Sequence, residues 1–89
     1  MTVLITGGAG FIGSNFIPYF LKEHQNIHVI NLDKLTYAGE FSNLEEVKNY
    51  SNHTFIEGDI CDRDLIENLF KEYNFQGIIH FPRGKYHYC

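Results

Sequence analysis

Thr6-Gly7-Gly8-Ala9-Gly10-Phe11-Ile12-Gly13 is the stretch that decides the fold of this chain. A run of aliphatic and β-branched residues, Val3 to Thr6, precedes it, and from Phe11 to about Glu23 the apolar residues Ile12, Phe16, Tyr19 and Phe20 recur at helical spacing. The segment therefore joins a strand to a helix through glycines. It satisfies G-x-G-x-x-G through Gly8, Gly10 and Gly13, and G-x-x-G-x-x-G through Gly7, Gly10 and Gly13. Either spacing meets the same physical demand. The chain must turn tightly, its backbone must approach a pyrophosphate with no side chain in the way, and a small residue must sit where helix packs on strand. The amides at the helix N-terminus then face the phosphates.

A glycine triplet alone is weak evidence, because glycines are common in turns. The context supplies the rest. A second strand, Ile27 to Leu32, ends in Asp33, which lies 20 residues beyond Gly13. A carboxylate at that place accepts hydrogen bonds from adenosine ribose hydroxyls and repels a 2′-phosphate, which favours NAD over NADP. The neighbouring Lys34 softens that preference. Pro18 falls inside the first helix, where it removes one backbone hydrogen bond.

Further along, Lys34 to Phe41 reads as a loop with Gly39 as a turn residue, and Ser42 or Asn43 caps a short helix through about Asn49. Thr54 to Glu57 reads as a third strand. Asp62 caps a helix from Arg63 to about Tyr73 with Leu65, Ile66, Leu69 and Phe70 as its apolar stripe, and Gly77 precedes a fourth strand, Ile78 to Phe81. Strands alternating with helices imply a parallel sheet with right-handed crossovers. The expected fold class is α/β, a partial Rossmann fold with strand order 3-2-1-4, helices on both faces, and ligand at the carboxyl ends of the strands.

Composition agrees with a small globular domain. The chain has 89 residues, 44% hydrophobic and 20% charged, with a formal net charge of −4. There is no basic stripe for nucleic acid, no apolar run long enough for a membrane helix, and no signal peptide pattern. The two cysteines, Cys61 and Cys89, do not suggest a disulfide framework and favour a reducing, cytoplasmic setting. Cys61 reads as a small buried residue, and Phe16, Tyr19, Phe20 and Phe70 read as core. His80, His87 and Cys89 are not read as a metal site.

In the form TGGAGFIG, the glycine loop resembles that of the extended short-chain dehydrogenase/reductase superfamily. Asp33-Lys34-Leu35-Thr36-Tyr37-Ala38-Gly39 and Gly58-Asp59-Ile60-Cys61-Asp62 narrow the resemblance to the dTDP-glucose 4,6-dehydratases, from Met1 to Phe81. By matching position, the resemblance implies cofactor contacts from Gly7, Gly10 and Gly13, and backbone contacts to pyrophosphate from Phe11 and Ile12. It puts Asp33 on the ribose, Lys34, Leu35 and Thr36 at the adenosine end, and Asp59 and Ile60 on the adenine. It also implies a nucleotide-sugar substrate, bound NAD as a hydride acceptor that is regenerated, loss of water from the sugar, and a homodimeric full-length enzyme. The catalytic tyrosine and lysine of the family's Tyr-x-x-x-Lys motif do not occur in this sequence, so no catalytic residue is assigned.

Residues 1–81 read as the N-terminal part of the NAD-binding domain, and residues 82–89 depart from the family. Where the family continues A-A-E-S-H-V-D, this chain has Pro82-Arg83-Gly84-Lys85-Tyr86-His87-Tyr88-Cys89. If Arg83 to Tyr86 is written CGC GGA AAG TA(T/C), dropping the first base restores Ala-Glu-Ser. A frameshift is the expected origin of the tail, with a splice or truncated variant as the other reading. Three functional readings stand at this point. The chain is the NAD-binding portion of a dTDP-glucose 4,6-dehydratase, inactive by itself; a portion of another NAD-dependent sugar-nucleotide epimerase or dehydratase; or a non-catalytic NAD-binding remnant.

Overall fold

The computed structural model describes residues 1–8, 11–34, 47 and 50–81. The expected helix after Ser42 apart from Val47, most of the loop before it, and the tail 82–89 lie outside these residues. The described chain runs β1 (Thr2–Thr6), α1 (Phe11–Glu23), β2 (His28–Asp33), β3 (His53–Glu57), α2 (Arg63–Glu72) and β4 (Phe75–His80). All strand pairs are parallel, and the sheet order is β3-β2-β1-β4. The fold is α/β with the order expected from the sequence.

Side chains alternate across the sheet, and each face has its own core. Val3, Ile5 and Val29 pack with Ile17 and Leu21 of α1, joined by Val47 and the half-buried Phe16, Phe20 and Ile79. Leu4, Ile30 and Leu32 pack with Leu69 of α2, joined by Leu65, Ile66, Tyr73 and Phe75. Residues buried this completely contribute about 1.5–3 kcal/mol each relative to exposure.

The observed faces correct two expectations. Ile12 and Tyr19, read as members of the α1 core stripe, are 69% and 64% exposed. The helix instead buries Gly13, Ile17 and Leu21, which follow one another at intervals of four. Apolar residues lie almost all round α1, so periodicity does not single out a face; the close approach of Gly13 to the glycine turn does. Phe70 of the α2 stripe is also 47% exposed, although its ring meets Phe75 edge-on at 5.2 Å.

Helix α2 is set as the sequence suggests. Asp62 is its N-cap, and its carboxylate accepts from the Leu65 amide at 3.2 Å. The Tyr73 amide closes the other end on the Leu69 carbonyl at 2.9 Å. Strand β4 starts earlier than expected, because Gly77 lies inside it rather than before it. Backbone pairing outweighs the local glycine signal here. Val3 pairs with Gly77 and Thr2 with Phe75, leaving Gln76 as an extra residue at a bulge. The Gln76 side chain accepts from the Thr2 amide at 2.7 Å. Other differences, such as β1 starting at Thr2, β2 at His28, β3 at His53 and β4 ending at His80, are single-residue shifts at strand ends.

Candidate functional site

The carboxyl ends of the strands form one edge of the sheet, and short backbone bonds stitch it together. The Gly7 amide donates to the Leu32 carbonyl at 2.9 Å, the Gly58 amide to the Asp33 carbonyl at 3.0 Å, and the Phe81 amide to the Thr6 carbonyl at 2.9 Å. The turns leaving β1, β3 and β4 are thereby held against the strands beside them. The hydroxyl of the buried Thr6 and His80 Nδ1 share a hydrogen bond of 2.5 Å across β1 and β4.

At Gly7, Gly8 and Gly13 there is no room for a side chain. Gly7 has φ +72°, and a Cβ there would run into the Phe81 carbonyl oxygen. A Cβ on Gly13 would lie 2.7 Å from the Gly8 Cα and 2.8 Å from the Gly7 carbonyl oxygen. The turn and the first turn of α1 are therefore in glycine-to-glycine contact. This contact brings the helix N-terminus, starting at Phe11, to the sheet edge with its leading amides not used within the helix.

Beneath the turn lies a polar residue that sequence reasoning missed. Asn31 of β2 is fully buried, and a Cβ on Gly8 would overlap its Oδ1. Its Nδ2 lies 3.3 Å from His53 Nε2, and its Oδ1 has no hydrogen-bond partner. The His53 pKa is lowered to about 4, first by burial and then by the nearby His28. A neutral His53 leaves Nε2 free to accept from the Asn31 amide. His28 Nε2 in turn meets the Thr54 hydroxyl at 2.8 Å. Asn31 lies two residues before Asp33, so a polar residue within an otherwise apolar run was the available signal.

Asp33 closes β2 and is buried, 2% exposed. Lys34 follows at the surface, and its Nζ lies 3.2 Å from Asp59 Oδ2. The other Asp59 oxygen accepts from the Cys61 amide at 2.9 Å, and the Asp59 carbonyl accepts from the Asp62 amide at 2.9 Å. Asp59 is thus fixed in the turn between β3 and α2. Of the residues singled out in the sequence, Gly7, Ile12, Gly13, Asp33, Lys34, Asp59, Ile60 and the backbone of Phe11 come to the carboxyl edge of the sheet. Gly10, Leu35 and Thr36 lie outside the described residues. Cys61 is exposed rather than buried, because it sits on the outer side of this turn. Among the described residues, no helix is long and apolar enough to cross a membrane.

Comparison with known proteins places this edge in context. The chain is 48% identical over 80 residues to a dTDP-glucose 4,6-dehydratase of Haemophilus influenzae, covering 90% of this chain and 23% of that protein. It is 44% identical over 79 residues to the human dTDP-D-glucose 4,6-dehydratase, again covering 23% of the relative. The crystal structure of a Bacillus anthracis dTDP-glucose 4,6-dehydratase in complex with NAD superimposes with a TM-score of 0.86 at 40% identity, covering 94% of this chain and 27% of that one. The chain thus spans about a quarter of the length of these relatives. Residues 4–82 match the family described as GDP-mannose 4,6 dehydratase, and the chain belongs to that family.

Proposed function

We propose that this chain is the NAD-binding N-terminal portion of a dTDP-glucose 4,6-dehydratase. The observation that carries the reading is the glycine turn, closed to any Cβ at Gly7, Gly8 and Gly13, with a buried carboxylate at the end of the neighbouring strand. This arrangement fits a dinucleotide: a narrow backbone passage for the diphosphate and an acceptor for the ribose hydroxyls. In this reading Gly7, Gly10 and Gly13 let the diphosphate approach. The amides of Phe11 and Ile12 face it, Asp33 holds the ribose, and Lys34, Leu35, Thr36, Asp59 and Ile60 enclose the adenosine. NAD supplies a reversible hydride acceptor when bound; this chain's own residues bind and orient it. The substrate, a nucleotide sugar, is proposed from the activities named for the relatives. A homodimeric whole enzyme and a cytoplasmic setting belong to the same reading and rest on the resemblance alone. The sequence contains no Tyr-x-x-x-Lys, so the 89-residue polypeptide by itself is expected to turn over no dTDP-glucose.

Two measurements test this. Calorimetric titration of the chain with NAD is expected to show weak binding that Gly8→Val abolishes, since any Cβ there overlaps Asn31 and Ile17. No binding by the parent chain would sink the cofactor assignment. A chimera carrying residues 1–81 in place of the matching segment of the Haemophilus influenzae relative is expected to convert dTDP-glucose. A chimera that folds and acts only on another nucleotide sugar would overturn the substrate assignment.

A further inference from the structure

Lys34 stands immediately after the buried Asp33, at the end of the site where a dinucleotide's adenosine ribose would lie. A cation at that position is well placed to receive a ribose 2′-phosphate, the group that distinguishes NADP from NAD. Its charge is already engaged. Asp59 Oδ2 lies 3.2 Å from Lys34 Nζ, and the Asp59 carboxylate is not free to follow the lysine elsewhere. Its second oxygen accepts from the Cys61 amide at 2.9 Å, and its carbonyl accepts from the Asp62 amide just before α2. A carboxylate anchored at the end of β3 therefore draws the Lys34 side chain toward β3 and across the end of β2.

We propose that Asp59 is a specificity-determining residue: by holding Lys34, it denies a ribose 2′-phosphate the cation beside Asp33. The site then discriminates against NADP with two carboxylates, one that repels the phosphate directly and one that occupies its counter-ion. This rests on the reading of the sheet edge as an NAD site. The Lys34 side chain is 56% exposed, so the pair is solvated and its effect is modest, roughly two- to fivefold in relative affinity.

The test is a thermodynamic cycle on the full chain, with NAD and NADP each titrated by calorimetry into the parent, Asp59→Asn, Lys34→Met and the double variant. The quantity read is the ratio of NADP to NAD affinity. Adenine is the same in both nucleotides, so any interaction Asp59 makes with it cancels in that ratio. Asp59→Asn is expected to raise the ratio, and adding Lys34→Met is expected to remove the gain. Lys34→Met alone should move the ratio less than it does in the Asp59→Asn background. An unchanged ratio in Asp59→Asn, with NAD still bound, overturns the proposal and leaves the cofactor reading standing. A raised ratio that survives Lys34→Met also overturns it, because the lysine would not be the agent. Failure of the parent to bind either dinucleotide sinks the cofactor reading, and this inference with it.

Discussion

Strands β2 and β4 flank β1, have six residues each and run parallel to it, yet they have different surroundings. In β2 every residue from Val29 to Asp33 is buried. In β4, exposed and half-buried residues alternate, and Ile78 is 56% exposed. Pairing and propensity do not explain this, because both strands are rich in β-branched residues and both are bonded to β1. Cover does. Strand β2 lies between β1 and β3 with α1 against one face and α2 against the other. Strand β4 lies at the edge of the described sheet, and its Ile78 and His80, which share a face with Leu4, are exposed. A parallel strand reads as continuously apolar only where both faces are covered. The polar residues found inside β2, Asn31 and Asp33, therefore sit in the most enclosed part of the molecule, directly under the glycine turn and at the end of the site.

The contrast can be broken most sharply by truncating matched positions. Ile30→Ala in β2 should cost about 2–5 kcal/mol, because the residue is fully buried and both neighbouring layers are fixed. A fall in the urea midpoint much smaller than this would show that the enclosed strand repacks freely.

Acid should weaken the neighbouring strand β3 next, where His53 meets Asn31 of β2. The His53 pKa is about 4 in the folded chain, below its ordinary 6.5. The unfolded chain therefore takes up a proton first as pH falls. The stability from a neutral His53 is fully present above about pH 6.5 and lost progressively as pH falls to about 4. Because the ring is only partly enclosed, the loss is on the order of 1–2 kcal/mol after allowing for solvent screening. Comparing urea midpoints at pH 7.5 and 4.5 for the parent and His53→Gln checks this; equal losses in both would remove His53 as the cause.

Helix α2 supplies half of the cover over β2, so loosening it should expose that strand's inner side. Asp62→Ala removes the acceptor for the Leu65 amide and should cost about 1 kcal/mol. Hydrogen exchange should quicken in α2 before it quickens in β1. Ile78→Thr should be the mildest change, within about 0.5 kcal/mol, since much of that side chain already meets water. A large loss there would mean that the open side of β4 is covered in solution.

The same contrast marks what the sequence could disclose. Strand order, the glycine turn, the Asp62 cap and the position of Asp33 follow from local chemistry: glycines where backbones touch, a capping carboxylate, and an acid at a fixed distance from the turn. The buried face of α1 was not legible from periodicity, because apolar residues surround the helix. Counting in fours from Gly13, which must face the turn, leads to Ile17 and Leu21. The pairing of Lys34 with Asp59, and of Asn31 with His53, joins strands separated by a crossover, and register between strands is not written in either segment alone. The early start of β4 was hidden because Gly77 reads as punctuation while the tertiary pairing treats it as an ordinary strand residue.

The bulge at Gln76 has a consequence for how this chain tolerates changes of length. Near the start of β4 the backbone already holds one residue more than the ladder requires, and the irregularity is confined to the step from Thr2 to Val3. Downstream, Gly77 to His80 stay in register with Val3 to Thr6, and Phe81 reaches the Gly7 turn. An insertion or deletion before Gln76 can thus be absorbed as slack at the far end of the sheet from the glycine turn. One placed after it would invert the sides of Ile78 and Ile79 and carry the error straight to the turn.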